Sequence, residues 1–168
     1  MSLDVNTPVV ASGARKRPRN EDNWVANKVK KARNLGKEYV SRMSGNLVKA
    51  RQIGADCGCT NHCFDKVGIE NIKQIFKQYY DIGCYNIQCA YIQSHTTENA
   101  VVRHRTHDIT KQYKCSRSYH VEVNGVKISV CQKAFASFLG TDERALRRAS
   151  EKRTSAGVLI PDMRGKTW

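Results

Sequence analysis

A chain of 168 residues holds one core-sized domain with a tail, because a single core is usually built from about 100–200 residues; a large catalytic fold does not fit. Hydrophobic residues make up 40% and aromatics only 8%, the composition of a modest core with unpacked ends. The 29 Lys and Arg against 15 Asp and Glu give a formal net charge of +14, which makes a polyanion the leading expectation for a partner.

The charge is uneven. Residues 1–55 carry 12 basic and 4 acidic side chains, residues 56–99 carry 3 and 5, and residues 100–168 carry 14 and 6. Two basic blocks therefore flank a near-neutral middle. No run of about 18 apolar residues exists, so no membrane span is expected. The start MSLDVNTPVV lacks the basic and apolar regions of a signal peptide, and the chain is expected to stay inside the cell. Seven cysteines, an odd and unevenly spaced set, then argue for reduced thiols and metal ligation over a disulfide framework.

Residues 1–34 read as a disordered basic arm. Pro8, Gly13 and Pro18 interrupt a stretch with few apolar groups, and Arg15, Lys16, Arg17 and Arg19 form one basic cluster. A second cluster, Lys28, Lys30, Lys31 and Arg33, follows after a short spacer. Paired clusters of this kind are the pattern of a two-part nuclear import signal and also of a nucleic-acid-binding arm. Residues 24–34 can form a short basic helix on binding, stopped at Gly36.

Residues 35–155 are expected to form the folded domain. Cys57, Cys59 and Cys63 make a C-x-C-x3-C loop that also contains His62. Three thiolates so close in sequence suit a soft tetrahedral ion such as Zn2+, which lowers thiol pKa values enough to hold them deprotonated. The fourth ligand is open between Cys131 and His62, although ligation by adjacent His62 and Cys63 is sterically awkward. Cys84, Cys89 and Cys115 have no comparable spacing, and Cys89 is expected to pack as a small apolar group.

From Ile69 to Ile82, the positions Ile69, Ile72, Ile75, Phe76 and Tyr79 recur at helical spacing, which predicts an amphipathic helix ended by Gly83. Residues 85–95 supply a second helix through Ile87, Ala90, Tyr91 and Ile92. Core packing accounts for Tyr79, Tyr80, Tyr85 and Tyr91 better than base stacking does. Residues 96–117 are polar and read as a loop whose Arg103, His104, Arg105 and His107 could touch a nucleic-acid groove. The period then changes to two: Tyr119, Val121 and Val123, then Asn124-Gly125, then Val126, Ile128 and Val130. This is a hairpin signal, since a type I′ turn needs positive φ at both central residues.

Residues 132–151 can be laid against a helix-turn-helix. Ala136, Gly140, Leu146 and Ala149 stand at its offsets, Phe135 and Leu139 feed the core, and Thr141 is the expected N-cap before Asp142 and Glu143. The second helix would expose Arg144, Arg147, Arg148, Lys152 and Arg153, a face suited to phosphates and guanine edges. Residues 156–168 form a short tail. No G-x-S-x-G, glycine-rich phosphate loop or H-E-x-x-H occurs, and no enzyme activity is expected of this chain alone.

The basic arm with RNLGKEYVS, the CGCTNHCFDKV loop, the helix IKQIFKQYYDIG, the segment SYHVEVNGVKISVCQKAFASFLGTDERALRR and the terminal PDMRGK together resemble the N-terminal region of uncharacterised, transposon-derived insect proteins. The resemblance covers about residues 24–166. It implies a nucleic-acid-binding region ahead of a transposase-like catalytic region, which would begin beyond Trp168. The chain departs from the longer members in lacking a nuclease-type acidic cluster, the pattern of a truncated copy or a stand-alone binding piece. The combined expectation is an α+β, mainly helical module with a zinc-stabilised loop, one β-hairpin and a helix-turn-helix-like pair. It would bind nucleic acid, duplex DNA foremost, in the nucleus. The alternatives are an RNA-binding or protein-interaction module, or an inactive transposase fragment.

Overall fold

The computed structural model describes residues 20–103, 107–108, 110, 112, 115–154 and 157–162. The first basic cluster, Arg15 to Arg19, lies outside these residues, as do His104 and Arg105. The second cluster is helical: after a 3-10 turn at Glu21–Asn23, α1 spans Val25–Asn34. Gly36 follows with φ +66°, and a Cβ there would stand 2.6 Å from the Tyr80 ring. The Gly36 N–H to Arg33 O bond at 3.2 Å and the Lys37 N–H to Ala32 O bond at 2.9 Å end α1, and the close approach of Tyr80 leaves room there only for glycine. A small antiparallel hairpin comes next, β1 (Tyr39–Val40) with β2 (Leu47–Val48).

The central helices form largely as their apolar spacing predicts. α2 (Cys63–Val67) and α3 (Ile69–Asp81) are separated only by Gly68, and α3 buries Ile72, Ile75 and Tyr79. Ile69 lies at the exposed start of α3. In α4 (Tyr85–Ser94) the buried set is Gln88, Cys89, Ile92 and Gln93, while Ile87 is exposed. The two carboxamides sit inside because each is hydrogen-bonded there: Gln88 reaches carbonyls at the ends of α1 and α3, and Gln93 adds a second donor to Ala149 O and Lys152 O, which also accept from Lys152 N and Ile160 N. Gln88 Nε2 donates to Asn34 O at 2.7 Å and to Tyr79 O at 3.2 Å; Gln93 Nε2 donates to Ala149 O at 2.8 Å and Lys152 O at 3.0 Å. They fasten the ends of three helices to α4.

Residues 96–100, expected as part of a loop, form β3 (Thr96–Ala100) instead. β3 pairs antiparallel with β4 (Cys115–Val123), and β4 with β5 (Val126–Val130), in the order β3-β4-β5. Only Thr96 of β3 is buried, so the strand is held by its partner, through Arg117 Nε to Glu98 Oε1 at 2.9 Å and Asn99 Nδ2 to Ser118 Oγ at 2.8 Å. The β4–β5 turn has the expected geometry: Asn124 and Gly125 take φ of 51° and 78°, and Val123 faces Val126. Tyr119, Val121 and Val130 point into the core.

Two helices complete the chain, α5 (Gln132–Phe138) and α6 (Glu143–Glu151). Their turn closes on Gly140: its N–H bonds Ser137 O at 3.0 Å, and the next N–H, of Thr141, bonds Ala136 O at 3.0 Å, the paired bonds of a Schellman C-cap. Thr141 thus belongs to the end of α5. Asp142 caps α6 in its place, its Oδ1 accepting from Ala145 N at 2.5 Å. Phe135, Phe138, Leu139 and Leu146 are fully buried beside Ile72, Val67 and Val121, and one core joins helices and sheet.

Candidate metal centre and nucleic-acid interface

Three turns of backbone bring four cysteines to one point. Gly58, at φ +60°, reverses the chain between Cys57 and Cys59, and Asp56 Oδ1 accepts from its N–H at 3.3 Å. His62, in the left-handed region at φ 45°, starts α2, which carries Cys63 on its first residue. Cys131 arrives from elsewhere, at the junction where β5 ends and α5 begins. It is the N-cap of α5, its Sγ accepting from Ala134 N at 3.3 Å.

The Sγ atoms of Cys57, Cys59, Cys63 and Cys131 all lie within 4.8 Å of one another. Cys57 Sγ is 3.4 Å from Cys59 Sγ, which is 3.5 Å from Cys63 Sγ. A tetrahedron of sulfurs with metal–sulfur bonds of about 2.3 Å has edges of roughly 3.8 Å, so the spacing is that of a four-thiolate metal site. Backbone N–H groups already point at two of the sulfurs, Cys131 N to Cys63 Sγ at 3.4 Å and Ala134 N to Cys131 Sγ, the hydrogen bonding that supports ligating thiolates. Cys57 and Cys63 are buried, and Cys59 and Cys131 half-buried.

Burial works against ionisation of Cys57 and Cys63. It pushes Cys57 up to about 12 and also raises Cys63, whereas the hydrogen bond from the Cys57 thiol, with one from Cys63, brings Cys59 down to about 6. A cation among the four sulfurs supplies the positive charge that full deprotonation requires. The cluster can thus hold a metal ion. His62 is not among its members: its imidazole is 72% exposed, with Nδ1 3.7 Å from Asp65 Oδ2.

The second region of interest is α6. Leu146 and Ala149 pack inward, and Arg144, Arg147 and Arg148 are exposed. The two cations beyond the helix lie differently from the exposed face anticipated for them. Lys152 is half-buried with Nζ 4.6 Å from the Tyr85 ring centroid, and the Arg153 guanidinium is turned onto Gln93 O. Both serve the packing of α4 against α6. Arg103 is exposed beyond the end of β3.

Between α1 and α6 runs a groove of about 740 Å³. Its walls carry Lys30, Arg33, Arg42, Arg51 and Arg148, and Asp162 is the acidic residue among its lining. Arg42 and Arg51 escaped the sequence reading because they stand singly; it is folding that puts them beside the α1 cluster. Arg144 and Arg147 lie outside the groove. No helix among the described residues is long and apolar enough to cross a membrane. No family model, curated protein or solved structure matches the chain.

Proposed function

We propose that the protein is a zinc-dependent nucleic-acid-binding module of transposon origin that contacts duplex DNA in the nucleus, and that it binds rather than catalyses. The observation that carries this reading is the mounting of α6. Its buried side packs through Leu146 and Ala149, its free side presents Arg144, Arg147 and Arg148, and its partner helix α5 begins at Cys131, inside the four-sulfur cluster. Four cysteine ligands with no open position are the donor set of a structural zinc site, which contributes folding energy and takes no part in chemistry. Zinc would then hold the start of α5, the helix to which α6 is joined through the Gly140 turn. The exposed arginines supply both phosphate contacts and bidentate contacts to guanine.

The test is a salt titration of the zinc-loaded protein with duplex DNA, single-stranded DNA and RNA of matched length. The expected result is tighter duplex binding, with a subset of duplex sequences preferred at salt high enough to suppress the non-specific term. Equal affinity for all three and for heparin reduces the surface to a general polyanion patch and rejects the reading.

A further inference from the structure

The groove between α1 and α6 joins cations from four parts of the chain, three of them within residues 30–51 and the fourth far along the chain on α6. Lys30 and Arg33 come from α1, Arg42 from the β1–β2 hairpin, Arg51 from the strand of chain after it, and Arg148 from α6. Cations converge on one concavity against their mutual repulsion, and the lining offers Asp162 as its acidic counterweight. Some of these side chains are already oriented. Arg33 Nε donates to the Tyr39 hydroxyl at 3.2 Å with its guanidinium 5.2 Å from that ring's centroid, and Arg51 Nη1 donates to Gly140 O at 3.2 Å. Lys30 and Arg42 are exposed side chains on its rim.

We infer that this groove is a phosphodiester-binding channel, in which one strand of a bound nucleic acid runs between α1 and α6. The inference rests on the nucleic-acid reading above and deepens it: Lys30 and Arg33 become part of the same binding surface as α6, and Arg42 and Arg51 become contact residues. Charge complementarity selects the occupant. Each strand of a duplex presents a phosphate about every 3.4 Å of axis, a repeating anion that several fixed cations along a channel can engage at once. Guanidinium groups, which supply most of these cations, meet phosphate oxygens bidentately. The division of labour is then geometric. Arg148 faces the strand in the channel, and Arg144 and Arg147, outside it, are left for the rest of the duplex.

The experiment compares wild type with the double variant Lys30→Gln/Arg42→Gln, which leaves the oriented Arg33 and Arg51 in place. The control is Lys77→Gln/Lys127→Gln, two exposed lysines outside the groove. Binding of a zinc-loaded protein to a labelled 20-base-pair duplex is followed by fluorescence anisotropy as salt is raised. Two lost phosphate contacts lower the steepness of log affinity against log salt by about 1.8, so that between 50 and 200 mM salt the groove variant loses about 12-fold less affinity than wild type. The control variant keeps the wild-type slope. Acetylation of the complex should leave Lys30 protected and Lys77 reactive.

Equal slopes for wild type and groove variant, or an unprotected Lys30, overturn the channel. The nucleic-acid reading survives that result if Arg144→Ala/Arg147→Ala still weakens the duplex complex. A wild-type protein that binds no nucleic acid at 50 mM salt removes both. If polyglutamate displaces the duplex at equal charge concentration, the groove takes acidic protein segments and the phosphodiester assignment fails.

Discussion

Cys131 has two separable jobs, and substituting it twice tells them apart. Its sulfur is one corner of the four-sulfur cluster and also the N-cap acceptor for Ala134 N. Cys131→Ser keeps an acceptor at the N-cap, and a hydroxyl is at least as good a cap as a thiol, but it makes a poor ligand for a soft ion. Cys131→Ala removes both. In the presence of chelator, where ligation contributes nothing, Cys131→Ser should match or slightly exceed wild type, and Cys131→Ala should fall below it by about 1 kcal/mol, the usual worth of an N-cap.

With zinc at 1,000 times its dissociation constant, wild type gains about 4.1 kcal/mol over its chelated form by mass action. Neither variant should show that gain. Urea unfolding followed by circular dichroism, with and without chelator, gives all six stabilities, and elemental analysis gives about one zinc per wild-type chain. Retention of one equivalent by Cys131→Ser refutes the assignment of this sulfur as a ligand. Loss of zinc from His62→Ala alongside it would transfer the fourth position to the imidazole. If instead Ser and Ala variants are equally stable in chelator, the cap on α5 is not formed by this side chain.

Four further outcomes follow from particular contacts. Gly140→Ala should cost about 3 kcal/mol or more in urea unfolding, because φ is +56° and the added Cβ would meet Gln52 O at 2.3 Å; Gly125→Ala, at φ +78° with open space around it, should cost only the left-handed strain of about 1–2 kcal/mol. Gln93→Ala should destabilise by about 0.5–1.5 kcal/mol for each of its two hydrogen bonds, since Ala149 O and Lys152 O keep the Lys152 and Ile160 N–H groups, again by urea unfolding. Removing residues 1–19, with Arg15, Lys16, Arg17 and Arg19, should flatten the salt dependence of duplex binding by up to about 3.6 in log–log slope without changing sequence preference; an unchanged slope leaves nuclear import as the role of that cluster. Arg144→Ala or Arg147→Ala should cost roughly 1–3 kcal/mol on a preferred duplex and relax specificity at one position, whereas a uniform loss on every sequence would make α6 an electrostatic contact only.

What the sequence discloses in advance is what local periodicity encodes. α3 repeats apolar residues on one face, and Asn124-Gly125 is one of the few residue pairs that make its turn cheaply, so both are legible from a dozen residues. β3 is not, because TTENA has no alternation of its own and becomes a strand only through β4. The burial of Gln88 and Gln93 is hidden for the same reason: their carbonyl partners at Asn34 and Ala149 lie 54 and 56 residues away. At the metal site the C-x-C-x3-C loop is explicit, but choosing Cys131 over His62 depends on a contact spanning 68 residues. Thr141 looks like an N-cap until the Schellman bonds that end α5 take up its N–H, which moves the cap to Asp142.

The metal loop and the basic groove are joined by one short strap of chain. Arg51 lines the groove, with its N–H on Gly36 O at 2.7 Å and its guanidinium on Gly140 O. Next, Gln52 lies against Gly140, and Gly54 N donates to Ser137 O at 2.8 Å. The strap ends at Cys57, whose carbonyl accepts from Lys133 Nζ at 3.4 Å on α5. A residue added at Gly54 would press on Ser137 at 2.9 Å, so the strap has little room to shift across α5. A metal ion in the cluster would fix its far end through Cys57 and the start of α5, the helix it crosses, through Cys131. Both walls of the groove that depend on this region, Arg51 on the strap and Arg148 on α6, would then be positioned from the cluster. On the function proposed above, a closed metal site would in this way govern nucleic-acid binding at the groove, by holding the backbone on which the groove's cations are carried.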